Sequence, residues 1–335
     1  MLRRFALPVL ILVAVGGYVV YWYQVAARVP DWIVQWADQA RARGYHVDYG
    51  AVDVGGFPFK LQVSVADVTF GHDDGQGTAL WRGAFVRGLV KPWDFDRALL
   101  TIPDEHTLEP AVGGPLTIRQ AVNQTVLVLD DGAPRVVAVD LRDVTIEDAA
   151  GTRSTLGAVE VRFERDETDD DQDRRTVGVK LIGVDPGVAI APGMPALIDE
   201  FTAVARLVGA PPEAVAREAL GRWRDEGGVV EFDVVRVRWG ALDLVADGTA
   251  TLDDQFRPLF AFTVDAAGWD VGLEAATAAG ALPPGQAFAI GAALNAIAKR
   301  EETGVDHATI AVSAQDGQVF VGPLAVGRLQ ALAVP

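Results

Sequence analysis

Hydrophobic and polar positions along this chain alternate far more often than they repeat with a helical period, and the alternation predicts a protein made mostly of strands. In Asp53-Val54-Gly55-Gly56-Phe57-Pro58-Phe59-Lys60-Leu61-Gln62-Val63-Ser64-Val65, residues Phe57, Phe59, Leu61, Val63 and Val65 share one face. Lys60, Gln62 and Ser64 share the other, because strand side chains alternate with period two. Pro58 donates no ladder hydrogen bond, so this strand is expected at an edge or with its proline at the strand's start. Tyr45–Tyr49 and a short run to Val54 read as two preceding strands. The segment from Trp81 to Thr101 continues the alternation, and a Pro/Gly-rich connection runs from Pro103 to Pro115. Val126–Leu129 is apolar on both faces, which suits the inside of a sheet. Further on, Leu242, Leu244 and Ala246 alternate with Asp243 and Asp247. After a turn at Asp253-Asp254, Phe260, Phe262 and Val264 alternate with Ala261, Thr263 and Asp265. A last hairpin from His307 to Leu324 turns at Asp316-Gly317.

Helical periodicity appears in a few places. Residues Phe5 to Tyr23 form 19 consecutive positions without a charge, and at about 1.5 Å per helical residue they span roughly 28 Å, the thickness of a bilayer's hydrocarbon layer. Arg3 and Arg4 precede the run, and Tyr18, Tyr21, Trp22 and Tyr23 close it. This places the N-terminus in the cytoplasm and an aromatic anchor at the far interface, with Phe5, Tyr18, Tyr21, Trp22 and Tyr23 as the anchoring side chains. A cleaved signal peptide ending at Val25-Ala26-Ala27 is the alternative, although the apolar run exceeds the usual signal-peptide core. From Pro30 to Gly44, Ile33, Trp36, Ala37 and Ala40 predict a separate short helix beside the membrane. After a Pro-punctuated connection from Pro186 to Pro195, two helices are expected. One carries Leu197, Ile198, Phe201, Val204, Ala205 and Val208, and the other, opened by Pro211-Pro212-Glu213, carries Val215, Ala219, Leu220 and Trp223. Phe288, Ile290, Leu294, Ile297 and Ala298 predict one more.

An internal repeat organises the strand-rich part. Val65-Ala66-Asp67-Val68-Thr69-Phe70, a turn with Gly75 and Thr78-Ala79-Leu80 align with Leu141-Arg142-Asp143-Val144-Thr145-Ile146, a turn with Gly151 and Ser154-Thr155-Leu156, at a constant offset of 76 residues. Two hairpins of one design follow, and self-similar units that cannot bury a face alone stack side by side. In both, the apolar face changes phase, between Val65 and Val68 and between Leu141 and Val144, which predicts a bulge or a switch of face.

Composition narrows the function classes. The 335 residues are 50% hydrophobic and 22% charged, as in a folded chain. The formal charge is −17, near −19 once Arg3 and Arg4 are set aside, and such a surface repels nucleic acid. The absence of cysteine excludes thiolate catalysis, iron–sulfur clusters and cysteine zinc sites. His46, His72, His106 and His307 show no zinc spacing, and no nucleophile elbow, phosphate loop or dinucleotide fingerprint occurs. The acidic run Asp166–Arg175 lacks the calcium-loop pattern and reads as a solvated loop. Asp73/Asp74, Asp253/Asp254 and Glu301/Glu302 sit at turns or helix ends. Asn123-Gln124-Thr125 is a formal sequon of low specificity. No cofactor or metal is expected, and no enzyme activity.

The N-terminal anchor, Gly55-Gly56-Phe57-Pro58-Phe59, Trp239-Gly240-Ala241-Leu242 leading to Asp247-Gly248-Thr249, and Asp316-Gly317 to Gly322-Pro323-Leu324 together resemble a bacterial family, the domain of unknown function 2125. The resemblance covers nearly the whole chain and implies no catalytic residues. The meander from Val229 to Val264 is also similar to pieces of AsmA-type envelope proteins, whose curved sheets form a hydrophobic groove implicated in moving lipids. That second likeness is one of pattern and implies no residue roles.

The expected fold is therefore α+β and β-dominated, a curved antiparallel sheet of repeated hairpins partly covered by helices, with an N-terminal transmembrane helix. Residues 1–27 would form the stub and anchor, 28–185 a β-rich part with the hairpin repeat, and 186–335 a helical cover and meander continuing the same sheet. The expected role is that of an inner-membrane protein with its bulk in the periplasm, binding or shuttling phospholipid or another lipid in a β-groove lined by Phe57, Phe59, Leu242, Leu244, Phe260 and Phe262. Each of those six also fits plain core beneath the helices. The alternative role is a structural or assembly factor that contacts other envelope proteins through a sheet edge or the acidic surface.

Overall fold

The computed structural model describes residues 2–73, 77–166, 174–209, 217–300 and 306–332, with side chains from residue 12 onward, residue 166 aside. Strands dominate, the strand pairs are antiparallel, and the chain divides into two compact units. The first comprises residues 1–134 and 146–151, and the second comprises 135–145 and 152–335.

The first unit begins with α1 (Leu2–Ala42), followed by β1 (Tyr45–Asp48), β2 (Val52–Gly55), β3 (Leu61–Asp73), β4 (Thr78–Lys91), β5 (Asp94–Thr101), β6 (Glu105–Glu109), β7 (Leu116–Arg119) and β8 (Val122–Asp130). β3 and β4 form a long hairpin, and each serves two further partners. β3 pairs with β2 along Gln62–Val65 and with β1 along Thr69–His72. β4 pairs with β5 along Arg87–Lys91 and with β6 along Leu80–Gly83. The changeover on β3 falls at Asp67, which has φ 48°. There the Gly50 N–H donates to the Ala66 carbonyl and the Ala66 N–H to that of Ala51. A Cβ on Gly50 would stand 3.3 Å from both the Ala66 carbonyl and the Asp67 carboxylate, so a side chain there crowds the corner.

Asp143, the repeat partner of Asp67, has φ 52°. Both hairpins therefore carry a left-handed aspartate at the same place, and aspartate tolerates that conformation better than most residues because its short carboxylate bonds locally. Across Asp67 the β3–β4 register is continuous, with Ala66 opposite Phe85 and Val68 opposite Gly83. The phase change in this hairpin comes from one backbone conformation, with no inserted residue.

Strand β9 (Ala133–Glu147) leads into the second unit. It is followed by β10 (Arg153–Asp166), β11 (Arg174–Asp185), β12 (Ile198–Val208), α2 (Arg217–Asp225), β13 (Val229–Trp239), β14 (Leu242–Leu252) and β15 (Pro258–Ala267). Then come α3 (Trp269–Ala278), α4 (Pro284–Ile297), β16 (Lys299–Arg300), β17 (Asp306–Gln315), β18 (Gln318–Val321) and β19 (Leu324–Arg328). From β10 to β15 each strand pairs with the next, and β15 pairs with β17. Residues 186–197, where the sequence suggested a boundary, connect β11 to β12 within this unit. Asp316 and Gly317 turn β17 into β18 with φ 52° and 72°, the paired positive values of a tight hairpin turn.

Four expectations need correcting. Residues 198–208 form a strand, although the apolar spacing from Leu197 onward fits a helix. β-Branched Ile198, Thr202, Val204 and Val208 favour a pleated setting, and β11 and β13 supply ladders on both sides, with Thr202 opposite Lys180 and Arg236. The anchor and the Pro30–Gly44 helix are one continuous helix. Pro30 removes one helical hydrogen bond, and packing of α1 on both sides of it outweighs the loss. Residues 57–59 form a turn, and the strand starts at Leu61, beyond the proline that cannot donate to a ladder. The connection from Pro103 to Pro115 contains a strand, β6.

Among the described residues no helix is long and apolar enough to cross a membrane. Side chains 5–11 of the expected span, Phe5 included, lie outside the described set. So do Gly75, most of the acidic run, Pro211–Val215 and Glu301-Glu302.

Candidate functional site

Two different apolar surfaces emerge, one in each unit. In the second, α3 and α4 pack on the sheet through Ala266, Trp269, Ile290, Leu294 and Ala308, all buried, with Leu244, Leu273 and Ile310 against them. Cross-strand register puts Leu244 opposite Ala266, Gly248 opposite Phe262, and Ala250 opposite Phe260. These residues lie on one face, since partners in an antiparallel ladder point the same way. Leu244 belongs to the core beneath the helices, and Leu242 lies against α3, where a Cβ on Gly272 would come within 3.2 Å of it. Phe260 and Phe262 are half-buried farther along that face, with ring centroids 5.6 Å apart, and Phe232 adds a third ring 5.3 Å from Phe262. Of the six expected groove residues, two of these four are core and two face a partly open apolar surface.

The remaining two, Phe57 and Phe59, belong to the first unit, and Phe57 meets the expected anchor residues Trp22 and Tyr23. Along α1 the buried positions are Trp22, Ala26, Val29, Ala37 and Ala40, spaced by three, four or eight residues, which keeps them on one stripe. The alanines let the helix approach β1–β3 closely, and Trp22 and Ala26 pack on Leu61, a fully buried residue. Among the described side chains before Tyr18 no stripe exists: residues 12–17 are exposed all round, Leu12 at 75% and Val13 at 64%.

At that transition the helix is tied to two turns. The Tyr18 hydroxyl donates to the Pro58 carbonyl, the Tyr21 hydroxyl to the Pro92 carbonyl at 2.7 Å, and Trp22 Nε1 to the Lys60 carbonyl at 3.2 Å. Phe57 meets the edge of Trp22 at 5.4 Å and stacks on Tyr23 at 5.7 Å. Trp22 thus packs on protein, whereas Phe59 and Trp93 project from the two turns with 74% and 60% of their surface exposed. Together with Tyr21 and Tyr23 they form an aromatic collar around the point where α1 leaves the strands. Trp93 escaped the sequence reading, which ran strands straight through Lys91-Pro92-Trp93. The proline within an alternating run was the available signal of a turn.

The scattered polar residues have different settings. His106 is buried, and that burial holds its pKa below the ordinary histidine value against an opposing backbone hydrogen bond to Pro103. His307 Nδ1 lies 2.8 Å from Asp265, which also accepts from Thr309. His46 and His72 are exposed on the β1–β3 pair. Among the described residues no cluster of three metal-ligating side chains occurs. Asn123 of the sequon is buried, and its amide pairs with both the N–H and the carbonyl of Ile102 at 2.9 Å.

The family model described as "Uncharacterized protein conserved in bacteria (DUF2125)" matches residues 22–330. The chain belongs to the DUF2125 family. The match begins at Trp22, the residue that docks α1 on Leu61, so the DUF2125 region takes in the docked part of the helix and both units. No curated protein and no solved structure matches this DUF2125 chain.

Proposed function

We propose that this protein is a non-enzymatic component of the bacterial envelope, tethered in the inner membrane by the first part of α1, with its bulk in the periplasm, where it binds or shuttles lipid. The observation that carries the proposal is the transition within α1 at Tyr18. Over residues 12–17 the helix is apolar and exposed on all sides; after Tyr18 one face is sealed against strands. A helix that is apolar all round belongs in protein or in lipid, and tyrosine and tryptophan favour the headgroup level because one end is apolar and the other polar. Phe59 and Trp93 then rest at the bilayer surface and fix the orientation of the first unit on it. The Phe232–Phe260–Phe262 surface supplies shelter for acyl chains, at about 0.8 kcal/mol per buried CH₂. The likeness to AsmA-type proteins points the same way by analogy alone.

The cysteine-free chain makes the test direct. F59C and W93C, each carrying a polarity-sensitive fluorophore, are compared in lipid nanodiscs with D225C, a position 65% exposed on α2. Labels at 59 and 93 are expected to report a bilayer environment and the label at 225 water. Three aqueous spectra refute the tether. Mass spectrometry of lipid extracted from the purified protein tests the cargo. Stoichiometric phospholipid supports lipid handling, and lipid-free protein that crosslinks to other envelope proteins supports the assembly role instead.

A further inference from the structure

Three basic side chains converge beside the collar, on the sheet face away from α1. Leu61, beneath α1, pairs with Val90, and Gln62 with Leu89, so Lys60, Gln62 and Leu89 point to the opposite side. Leu89 pairs with Leu99 and Leu99 with Val126, which carries the same face across β5 to β8. A cleft of about 310 Å³ opens there, floored by Leu89, Leu99 and Val126 and bordered by Lys60, Lys91 and Arg97. The chain of net charge −17 has only four lysines, and two of them stand in this cleft. No carboxylate lines it; Asp96, next to Arg97 in β5, alternates to the other face, and Asp94, the register partner of Lys91 across an irregular step, makes no ion pair with it. All three cations are exposed, and among the described residues none has an ion-pair partner. Three uncompensated cations on a strongly acidic protein repel one another without return, unless an anion joins them.

Placement selects the anion. Lys60 follows Phe59, and Lys91 precedes Pro92, whose carbonyl holds Tyr21. Lys60 is therefore one residue and Lys91 two residues from a collar ring. A phosphate group at this level, with apolar chains leaving over leucine and valine, is a phospholipid headgroup. We infer that the cleft of Lys60, Lys91 and Arg97 binds the phosphate of an anionic phospholipid while Leu89, Leu99 and Val126 take the start of its acyl chains. The inference rests on the tethered, lipid-binding reading above and names the first contact of that lipid. Arg97 offers a planar fork for two phosphate oxygens and the lysines offer point charges.

The test uses full-length protein in detergent, with lipid binding read by native mass spectrometry for phosphatidylglycerol and phosphatidylcholine. The wild type is expected to prefer phosphatidylglycerol, and K60Q/K91Q/R97Q to lose at least tenfold in affinity for it while keeping its melting temperature. R300Q, at an exposed position in the second unit, is expected to bind as wild type does. Equal retention of phosphatidylglycerol by wild type and the triple variant overturns this cleft but leaves lipid handling standing. No lipid on either protein overturns both. Binding of glycerol 3-phosphate or inorganic phosphate with no binding of phosphatidylglycerol overturns the lipid assignment in favour of a soluble phosphate ester. A triple variant with a lowered melting temperature is replaced by the single variants R97Q and K91Q, each expected to lose several-fold; unchanged binding by both also overturns the site.

Discussion

The two units use aromatic and aliphatic side chains in opposite ways. In the second, Trp269, Ile290 and Leu294 on α3 and α4 close over Leu244, Ala266 and Ala308, and the contact is protein on protein. In the first, α1 seals a narrow stripe through Trp22 and three alanines, while Phe59, Trp93, Tyr21 and Tyr23 remain largely exposed around it. Large apolar residues left exposed in turns gain nothing from burial in the chain's own core. The difference teaches that the same residue types carry stability where a helix covers them and stay open to solvent where none does.

Substitutions separate the two cases, and the largest effect is expected where burial is complete. Leu294→Ala should destabilise the protein by about 3 kcal/mol, the lost transfer energy plus a cavity, seen as a lower denaturation midpoint. Phe59→Ala should change that midpoint little, about 0.5 kcal/mol or less for an exposed site. A large loss from Phe59→Ala would mean the collar is core after all.

The repeated corner sets a second comparison. Replacing Asp67 or Asp143 by valine forces a β-branched residue into the left-handed region and should cost about 1–2 kcal/mol at each site, whereas glycine should cost much less. Matching losses in both units would establish the two hairpins as one design. A loss at one site alone would make the other a local accident.

A further, modest effect concerns the ties of α1 to the turns. Tyr21→Phe removes the bond to the Pro92 carbonyl and should cost about 1 kcal/mol, with faster amide exchange expected at Trp93 and Asp94. Unchanged exchange would show that packing alone holds the turn.

Several of these features were legible in the chain. Alternation identified β3, β14, β15 and the final hairpin, and the 76-residue offset anticipated two equivalent corners before their dihedral angles were known. The residues 197–208 were not legible, because six apolar positions satisfied a helical stripe and a strand equally well. Only ladders on both sides select between them, and those come from residues near 180 and 236, far away in sequence. The cleft was illegible for a similar reason: Lys60, Lys91 and Arg97 share no local motif and meet through the pairing of β3, β4 and β5.

By itself the sequence determined the local quantities: an apolar N-terminal run, period-two strands, a phase change at matching places in two hairpins, and a family membership over residues 22–330. Each of these depends on near neighbours in the chain or on the pattern as a whole. Tertiary structure alone decided which aromatic rings are covered. Trp22 and Tyr23 are adjacent in sequence, yet one is 3% and the other 58% exposed. Helix phase against Leu61 makes that difference, since burial depends on what stands opposite a side chain in space.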